Sequence, residues 1–445
     1  MSFQRIKVVL GAAAYVAAFH WAYLTVLASL YAYIGFKYRD RPEAIELSWI
    51  LALIPALWLP IRLNRPSQLV YWLLYLLIIV PVSIVTIHSY PGGLQGGIRV
   101  VLTILAAFAA LSLTYIIPLR SIPHHRLQAK QSRTVLIFLG MAFCGIILLT
   151  FRPNFTLPSL SDIYLVRSEY KETAGHSGIL ASYAVDWQAL VLNPMFIILG
   201  LISRRKLPVV IGILGQLLIY SFTGFRMVLF SSIFLGFLFV LLRSRTGFGF
   251  RMLLSWAMAV LASTALYLWS GSLVLVGLVL ERLTGLPGLL TGFYFSFFST
   301  HPKMMLSHSI FRHFTQTPYS VEPPVLIGQV YFPGWNAYAN ANVWADAYAN
   351  FGFAGVFAFT LLLGLIFWFY DSITVESDFR FAALVLAIPA ISLANGGLLT
   401  CLFTHGLGLA CALMYCLSNT VHEPESRAYA PLRRFGGGPR VYYSN

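Results

Sequence analysis

Charged residues are scarce in this 445-residue chain, and acidic residues are the scarcer kind. Asp and Glu together number 15, against 30 Lys and Arg, and all charged residues make up 10% of the sequence. Soluble globular proteins carry about 25% charged residues, so this composition excludes an ordinary soluble enzyme. The hydrophobic share of 58% excludes a disordered chain as well.

Cysteine is also rare, and no cofactor or metal is predicted. Cys144, Cys401, Cys411 and Cys416 all lie inside apolar runs. Their spacing fits neither a disulfide framework nor a metal site, and the sequence has no Asp-x-Asp pair for a divalent metal. The net charge of +15 comes from short clusters between apolar runs. Because no continuous basic stripe is present, nucleic-acid binding is not indicated.

What the sequence has in quantity is long apolar runs. A helix that crosses the bilayer core needs about 20 apolar residues, and about twelve segments qualify. They are 8–35, 46–61, 69–89, 99–118, 134–151, 180–203, 207–223, 227–242, 252–280, 353–370, 381–395 and 398–418. The first run is too long for a cleaved signal peptide and is interpreted as a retained span. We predict an all-α polytopic membrane protein with one transmembrane domain over 1–421 and a flexible tail over 422–445.

The positions of Lys and Arg predict the orientation. Cytoplasmic loops of membrane proteins are enriched in these residues, and clusters such as Arg204, Arg205 and Lys206 fall on the side of the N-terminus. Both termini are therefore predicted to be cytoplasmic. Two long segments, 152–178 and 281–352, then lie on the outer side, and the aromatic residues of the second predict short interfacial helices on the membrane.

The 152–178 segment contains an arginine in an unusual setting. Arg167 is flanked by Tyr164 and Tyr170, with Glu169 between them. The planar guanidinium group binds phosphate oxygens through two parallel hydrogen bonds, so Arg167 suits an anionic ligand. A solvated loop in which Arg167 pairs with Glu169 or Glu172 explains the same residues equally well.

A second arginine lies in a very short turn between two apolar runs, Thr223-Gly224-Phe225-Arg226. An ionisable residue held between transmembrane helices is costly and usually marks a functional site. The alternative is that Arg226 extends to the lipid headgroups and serves no further purpose.

The 281–352 segment offers several groups for acid-base chemistry. It begins with Glu281 and Arg282 and continues with His301, His308, Arg312, His313 and Glu322. A histidine, or a carboxylate whose pKa is raised by burial, can act as a general base near neutral pH. The spacing of the three histidines fits no standard metal site, and for each one alone an interfacial role is more common than catalysis.

The same segment ends in a regularly spaced polar set. Asn342, Asp346 and Asn350 recur every four residues and share one face if this stretch is helical. With Trp335 and Trp344 nearby, such a face could bind sugar hydroxyls. Helix capping and an aromatic belt at the membrane interface would give the same pattern.

Three of these stretches resemble one known family. The Asp-x-Tyr-x-x-Arg stretch at 162–167, the Thr-Gly-x-Arg turn at 223–226 and the Ala-Tyr-x-Asn-Phe-Gly-x-x-Gly stretch at 347–355 are similar to motifs of the oligosaccharide repeat-unit polymerases, the O-antigen polymerase (Wzy) family. The resemblance extends over nearly the whole chain. Some polymerases carry Arg, ten residues and Gly in two outer loops. Arg167 and Gly178 match this pattern, whereas after Arg282 the glycine comes one position early, at Gly292.

The resemblance implies a bacterial inner-membrane glycosyltransferase with a GT-C-like architecture and no cofactor. Such an enzyme joins undecaprenyl-pyrophosphate-linked repeat units on the periplasmic face, and a chain-length regulator is a candidate partner. The implied pyrophosphate ligands are Arg167, Arg226 and Arg282, with Arg152 and Arg312 in reserve. The implied base is His313, followed by Glu169, Glu322 and Asp346. The implied sugar-binding residues are Trp335, Asn342 and Trp344, and Tyr164 and Tyr170 beside Arg167 are further substrate-binding candidates.

Three rival functions remain open. An O-antigen ligase shares the architecture and the donor. A flippase or transporter for lipid-linked sugars suits twelve spans, although the two halves of the chain do not match as transporter repeats would. A membrane acyltransferase would need a buried histidine, for which only His405 lies deep in a late span.

Overall fold

The computed structural model describes residues 2–122, 127–151, 158, 162–316, 318–335 and 337–417, and within them the fold is helical throughout. The nearest approach to a strand in these residues is a single antiparallel bridge between Arg62 and Thr246. The predicted tail 422–445 lies outside the described part of the chain. The all-α expectation is therefore confirmed for the described residues.

In the described residues, nine helices are long and apolar enough to cross a membrane, which marks the chain as membrane-embedded. They are Phe3–Leu30, Ser67–Ser89, Gly93–Tyr115, Lys130–Phe151, Ile179–Ile202, Lys206–Thr223, Phe248–Ser270, Val343–Ile373 and Leu398–Cys416. Two shorter apolar helices are Arg226–Leu241 and Phe379–Ser392. The remaining predicted segment, 46–61, overlaps a twelve-residue helix, Pro42–Leu53, that gives way to the 3-10 turn Ile54–Leu57 around Pro55.

Helix Ser67–Ser89 forms the centre of the protein. Every residue in its most apolar window is buried, and Tyr71 stacks on Phe108 with the ring centroids 4.1 Å apart. Two glycines allow other helices to come close. Gly249 faces the ring of Trp72, and Gly288 faces the backbone of Pro81, and a Cβ atom at either glycine would collide with that neighbour. Small residues let helix backbones approach closely. Membrane helices depend on such close packing because lipid provides no hydrophobic force between them.

One end of this central helix is fixed by polar contacts. The Asp371 carboxylate accepts hydrogen bonds from the Ser67 backbone amide at 2.9 Å and from the Ser67 hydroxyl at 2.6 Å. The Arg65 guanidinium donates to the backbone oxygens of Thr114, Tyr115 and Ile117 at the end of a neighbouring helix. These contacts satisfy backbone groups that lack partners at helix ends, where lipid offers none.

The chain reverses direction within Val343–Ile373. Phe351 and Gly352 have non-helical dihedral angles, with Gly352 at φ 63° and ψ −148°. The Trp344 Nε1 donates to Thr360 Oγ1 at 2.9 Å, and sixteen residues of straight helix would separate these two by about 24 Å. Residues 343–350 therefore fold back against the start of the following helix. We call this unit the 343–373 hairpin.

The 281–352 segment differs from its prediction. Its first helix, Leu286–Thr300, does not lie on the membrane surface but is buried in the protein. Aromatic partners explain the burial: Phe293 stacks on Tyr331 at 4.1 Å, and Phe295 stacks on Tyr348 of the hairpin at 3.9 Å. Stacked rings bury large apolar areas, so this helix is more stable inside the protein than at an interface.

Candidate functional site

The Thr-Gly-Phe-Arg turn is a rigid connection between two helices. Helix Lys206–Thr223 ends at Gly224, whose φ of 62° is left-handed, and helix Arg226–Leu241 begins two residues later. The Thr223 hydroxyl donates to Ile219 O at 2.7 Å and accepts the Phe225 amide at 3.2 Å. Glycine adopts this conformation without the steric penalty that a Cβ atom brings. The turn therefore holds Arg226 in a defined position.

Arg167 binds this turn. Its Nε and Nη2 atoms donate to the Gly224 carbonyl oxygen at 3.2 and 2.9 Å. The residue lies on helix Ile163–His176, so the contact attaches that helix to the turn. Arg167 and the turn, which the sequence indicates as separate candidates, thus form one unit. Part of the guanidinium group is occupied by the protein itself, which gives Arg167 a positioning role.

Arg226 is half-buried at the first position of its helix. Its Nε atom is buried and has no hydrogen-bond partner among the described residues. A buried donor without a partner costs about 1–3 kcal/mol, and more when it is charged. The N-terminus of a helix also carries partial positive charge and exposed backbone amides. Both features favour an anionic ligand at this position.

One carboxyl group, that of Glu281, responds to the charges of both Arg226 and a second arginine, Arg282. Glu281 is half-buried within the π-helix Val276–Gly285, and Arg282 beside it is exposed. Burial raises the pKa of the Glu281 carboxyl, while Arg282, the Tyr31 hydroxyl and Arg226 oppose the rise. Burial and the negative charge of Glu281 raise the pKa of Tyr31 to about 12. Arg226 and Arg282 therefore act on the same carboxylate.

Of the three arginines first assigned to pyrophosphate, the structure joins Arg167 to the turn that carries Arg226. Arg167 reaches the turn through Gly224, and the charges of Arg226 and Arg282 both lower the pKa of Glu281. The prediction omitted Glu281 and Tyr31 from the site residues. Glu281 carried a signal, as an acidic residue next to an arginine at the end of a long apolar run. Tyr31 carried none, because it lies elsewhere in the sequence within an ordinary aromatic stretch.

Aromatic residues surround this group. Tyr170 packs edge-on against Phe225 of the turn at 5.4 Å, and burial raises its pKa. Lys171 lies 4.0 Å above the Tyr338 ring, which joins the 152–178 and 281–352 segments. Trp335 is 58% exposed and lies 5.7 Å from the Tyr33 ring. Trp335 is therefore free to stack on a ligand, whereas Tyr170 serves mainly in packing.

The predicted bases are distributed over several places. His313 is exposed in the turns after Leu286–Thr300, and its Nε2 accepts from Arg312 Nε at 3.5 Å. Glu322 is exposed immediately before helix Pro323–Tyr331, and Glu169 is exposed on helix Ile163–His176. No described contact links any of these three to Arg226 or Arg282.

The predicted helix at Asn342, Asp346 and Asn350 is confirmed, but the side-chain amides of the two asparagines already form hydrogen bonds within the protein. Asn342 is 1% exposed, accepts the backbone amides of Trp344 and Ala345 as an N-cap, and donates to Thr291. Trp344 is fully buried. In this conformation neither Asn342 nor Trp344 presents a group to a sugar. The Asp346 carboxylate is half-buried against Gly397.

For two of the predicted site residues the structure describes no side chain. Arg152 lies outside the residues that the structure describes, and of Tyr164 only the backbone, within helix Ile163–His176, is described. Among the described residues, no group of three His, Cys, Asp or Glu side chains could hold a metal ion.

An apolar cleft of about 830 Å³ opens near the turn. Helices Lys130–Phe151, Ile179–Ile202 and Lys206–Thr223 form its walls, with side chains such as Ile137 and Leu214. Ser221, three residues before Gly224, also lines it. The lining of the cleft therefore comes within three residues of Gly224 in the sequence.

Comparisons with known proteins identify no relative of this chain. No protein family model, no curated protein and no solved structure matches this chain.

Proposed function

We propose that this protein is a membrane glycosyltransferase that polymerises undecaprenyl-pyrophosphate-linked oligosaccharide repeat units of an O-antigen or related surface polysaccharide. The proposal includes the finer features that the resemblance implies: about twelve spans, a GT-C-like architecture, an inner-membrane location and both termini in the cytoplasm. A chain-length regulator is its proposed partner. The reaction takes place on the periplasmic face and uses no cofactor.

The observation that carries this proposal is that the buried Nε of Arg226, at the start of its helix, has no hydrogen-bond partner among the described residues. When a glycosyl group leaves its lipid carrier, negative charge develops on the pyrophosphate. Donors held in position before the reaction stabilise such charge without reorganisation during the reaction. Arg226 and Arg282 would bind the pyrophosphate, and Arg167 would hold the turn in position.

The apolar cleft supports the same assignment. A lipid-linked donor has an anionic headgroup and a long apolar chain. Ser221, which lines the cleft, precedes Arg226 by five residues in the sequence. The proposed binding mode places the anionic headgroup on Arg226 and the apolar chain along this cleft.

The test is elongation by the purified protein. Wild-type protein in lipid nanodiscs, supplied with the cognate undecaprenyl-pyrophosphate-linked repeat unit, should give a ladder of products on a gel. Arg226→Ala should lower the rate by about 10²- to 10³-fold, as loss of one such donor does in other enzymes. Arg133→Ala is the matched control, because Arg133 is exposed near the start of a helix whose far end, Phe151, contacts Tyr170. Normal ladders from Arg226→Ala would remove the pyrophosphate assignment.

The ligase alternative is separated by deletion of the gene. If lipid A core then carries a single repeat unit, the protein is the polymerase. If long undecaprenyl-linked polymer accumulates without transfer to the core, the protein is the ligase.

The 343–373 hairpin favours one further candidate, a flippase or transporter for lipid-linked sugars. Transporters often bind their substrates at discontinuous helices inside the membrane, and Asp346 places a carboxylate at the helix that folds back. Proteoliposomes distinguish the two functions. A flippase would move the unmodified lipid-linked repeat unit across the bilayer, whereas the polymerase would change its length.

A further inference from the structure

Two neighbouring aromatic side chains, Tyr33 and Trp335, are largely exposed. Tyr33 is 65% exposed and Trp335 is 58% exposed, and their ring centroids lie 5.7 Å apart with the ring planes inclined by 39°. They come from distant parts of the chain, because Tyr33 lies in the 3-10 turn Ala32–Ile34 and Trp335 follows helix Pro323–Tyr331. Exposed apolar patches commonly mark binding sites. We call this pair the aromatic platform.

One buried ring, that of Phe293, supports both halves of the platform. Gly35, two residues after Tyr33, lies so close to it that a Cβ atom at Gly35 would be 2.7 Å from the Phe293 ring. Phe332 packs edge-on against the same ring at 5.9 Å, and its carbonyl oxygen accepts the Trp335 amide at 3.1 Å. Packing therefore fixes the two chain segments relative to each other before any ligand binds, which lowers the entropic cost of binding.

The surroundings of the platform indicate that it faces water. Lys171 lies 4.0 Å above the ring of Tyr338, three residues after Trp335 in the sequence. The segment that follows Tyr33 exposes four charged side chains, those of Lys37, Asp40, Arg41 and Glu43. Charged groups are costly inside lipid. The two rings are therefore exposed beside charged surface, where apolar lipid chains would not cover them.

A sugar ring has the chemistry that such a platform binds. Its hydroxyl groups point outward, and its faces carry C–H groups. The hydrogen atoms of these groups are slightly positive, whereas the face of an aromatic ring is negative. A sugar stacked on Tyr33 and Trp335 would remove apolar surface from water while its hydroxyl groups stay hydrated.

We propose that the aromatic platform binds a sugar of the lipid-linked repeat unit. This inference rests on the proposed glycosyltransferase function and names two residues that hold its carbohydrate substrate. The sequence predicts Trp335 as a sugar-binding residue but gives no indication of Tyr33, because the contact between them depends on packing.

Contacts connect the platform to the proposed pyrophosphate site. Lys171 contacts Tyr338, and Arg167 on the same helix donates to the Gly224 carbonyl oxygen at 2.9 Å. Arg167 and Lys171 are four residues apart, which makes them neighbours on one face of that helix. In a lipid-linked unit the first sugar is bonded directly to the pyrophosphate. The sugar site therefore has to lie on the same side of the protein as the turn, and these contacts agree with that requirement.

The first experiment measures sugar binding in the absence of lipid and reaction. The probe is the repeat-unit oligosaccharide, released by mild acid from lipid-linked units of cells that lack the gene and titrated by calorimetry into protein in nanodiscs. Tyr33→Ala and Trp335→Ala should each weaken binding by about three- to tenfold, the contribution of one aromatic contact. Tyr33→Phe and Trp335→Tyr keep a ring and should retain most of the affinity. Trp269→Ala is the control and should bind like wild type, since Trp269 is 86% exposed near the end of helix Phe248–Ser270.

Two results would overturn the sugar site. If both alanine variants bind the oligosaccharide as tightly as wild type, the two rings are anchors at the membrane interface and not a sugar site. If the ring-retaining variants lose as much affinity as the alanine variants, binding does not depend on stacking.

The second experiment distinguishes the inference from the function on which it rests. With the lipid-linked unit, Tyr33→Ala and Trp335→Ala should raise the KM of elongation by about three- to tenfold and leave kcat nearly unchanged, because the rings bind substrate without contacting the reacting bonds. Ladders with an unchanged KM would reject the platform, and the glycosyltransferase proposal would stand. If wild type binds the oligosaccharide through the platform but elongates no donor, the sugar site stands and the glycosyltransferase proposal fails. If wild type neither binds nor elongates, both fail.

Discussion

The guanidinium group of Arg167 donates two hydrogen bonds to the carbonyl oxygen of Gly224, at 3.2 and 2.9 Å. This contact connects two stretches that are 57 residues apart. It makes helix Ile163–His176 and the Thr-Gly-Phe-Arg turn parts of one site. Because Gly224 is two residues from Arg226, the contact attaches that helix directly to the turn that carries Arg226.

Arg167→Lys should separate the helix from the turn although it keeps the positive charge. An ammonium group cannot reproduce the two-pronged contact of a guanidinium group. We expect the elongation rate to fall by about tenfold and the free energy of unfolding to fall by about 1 kcal/mol, measured as a lower thermal midpoint in detergent. Arg133→Lys provides the control. Full activity in Arg167→Lys would show that charge alone matters at this position.

Gly224→Ala should strain the turn. The left-handed φ of 62° costs a residue with a Cβ atom about 1–2 kcal/mol, and that atom would lie 3.3 Å from Ile163. We expect a lower thermal midpoint and a lower elongation rate together, because the same turn carries Arg226. Gly175→Ala is the matched control, since Gly175 is helical and a Cβ atom there meets nothing within 4 Å. An unchanged thermal midpoint in Gly224→Ala would contradict the described turn.

Sequence alone predicted most helices but few of the contacts that form the site. Long apolar runs indicate membrane helices because only closed backbone hydrogen bonding is stable in lipid, and Arg167 and Arg226 were identifiable as charges in unusual places. The contact between Arg167 and Gly224 was not, because it depends on how separate helices pack. The effect of the Glu281 charge on the pKa of Tyr31 depends on packing in the same way.

The 343–373 hairpin shows a second limit of sequence reasoning. The stretch is apolar almost throughout, so hydropathy treats residues 353–370 as an ordinary span. Its reversal depends on the dihedral angles of Gly352 and on the distant contact between Trp344 and Thr360. The helical spacing of Asn342, Asp346 and Asn350 was predictable, but whether these side chains point to a ligand or cap a helix was not.

Gly352→Ala should disrupt the hairpin. At φ 63° and ψ −148° the residue occupies a region that is essentially restricted to glycine. A side chain there costs about 1–3 kcal/mol, so we expect a clear loss of thermal stability on fluorescence-detected gel filtration. Gly236→Ala, within helix Arg226–Leu241, meets nothing within 4 Å and should behave like wild type. If both variants melt together with wild type, residues 343–373 do not fold back.

Variants of Asn342 distinguish a helix-capping role from a sugar-binding role. Its Oδ1 accepts two backbone amides of the hairpin, and its Nδ2 donates to Thr291. Asn342→Ala removes these bonds and should lower the free energy of unfolding by about 1–2 kcal/mol, read as a lower thermal midpoint. Asn342→Ser retains a capping oxygen and should recover most of that loss. If Asn342 bound sugar instead, Asn342→Ser would raise the KM for the acceptor as strongly as Asn342→Ala while both variants kept wild-type stability.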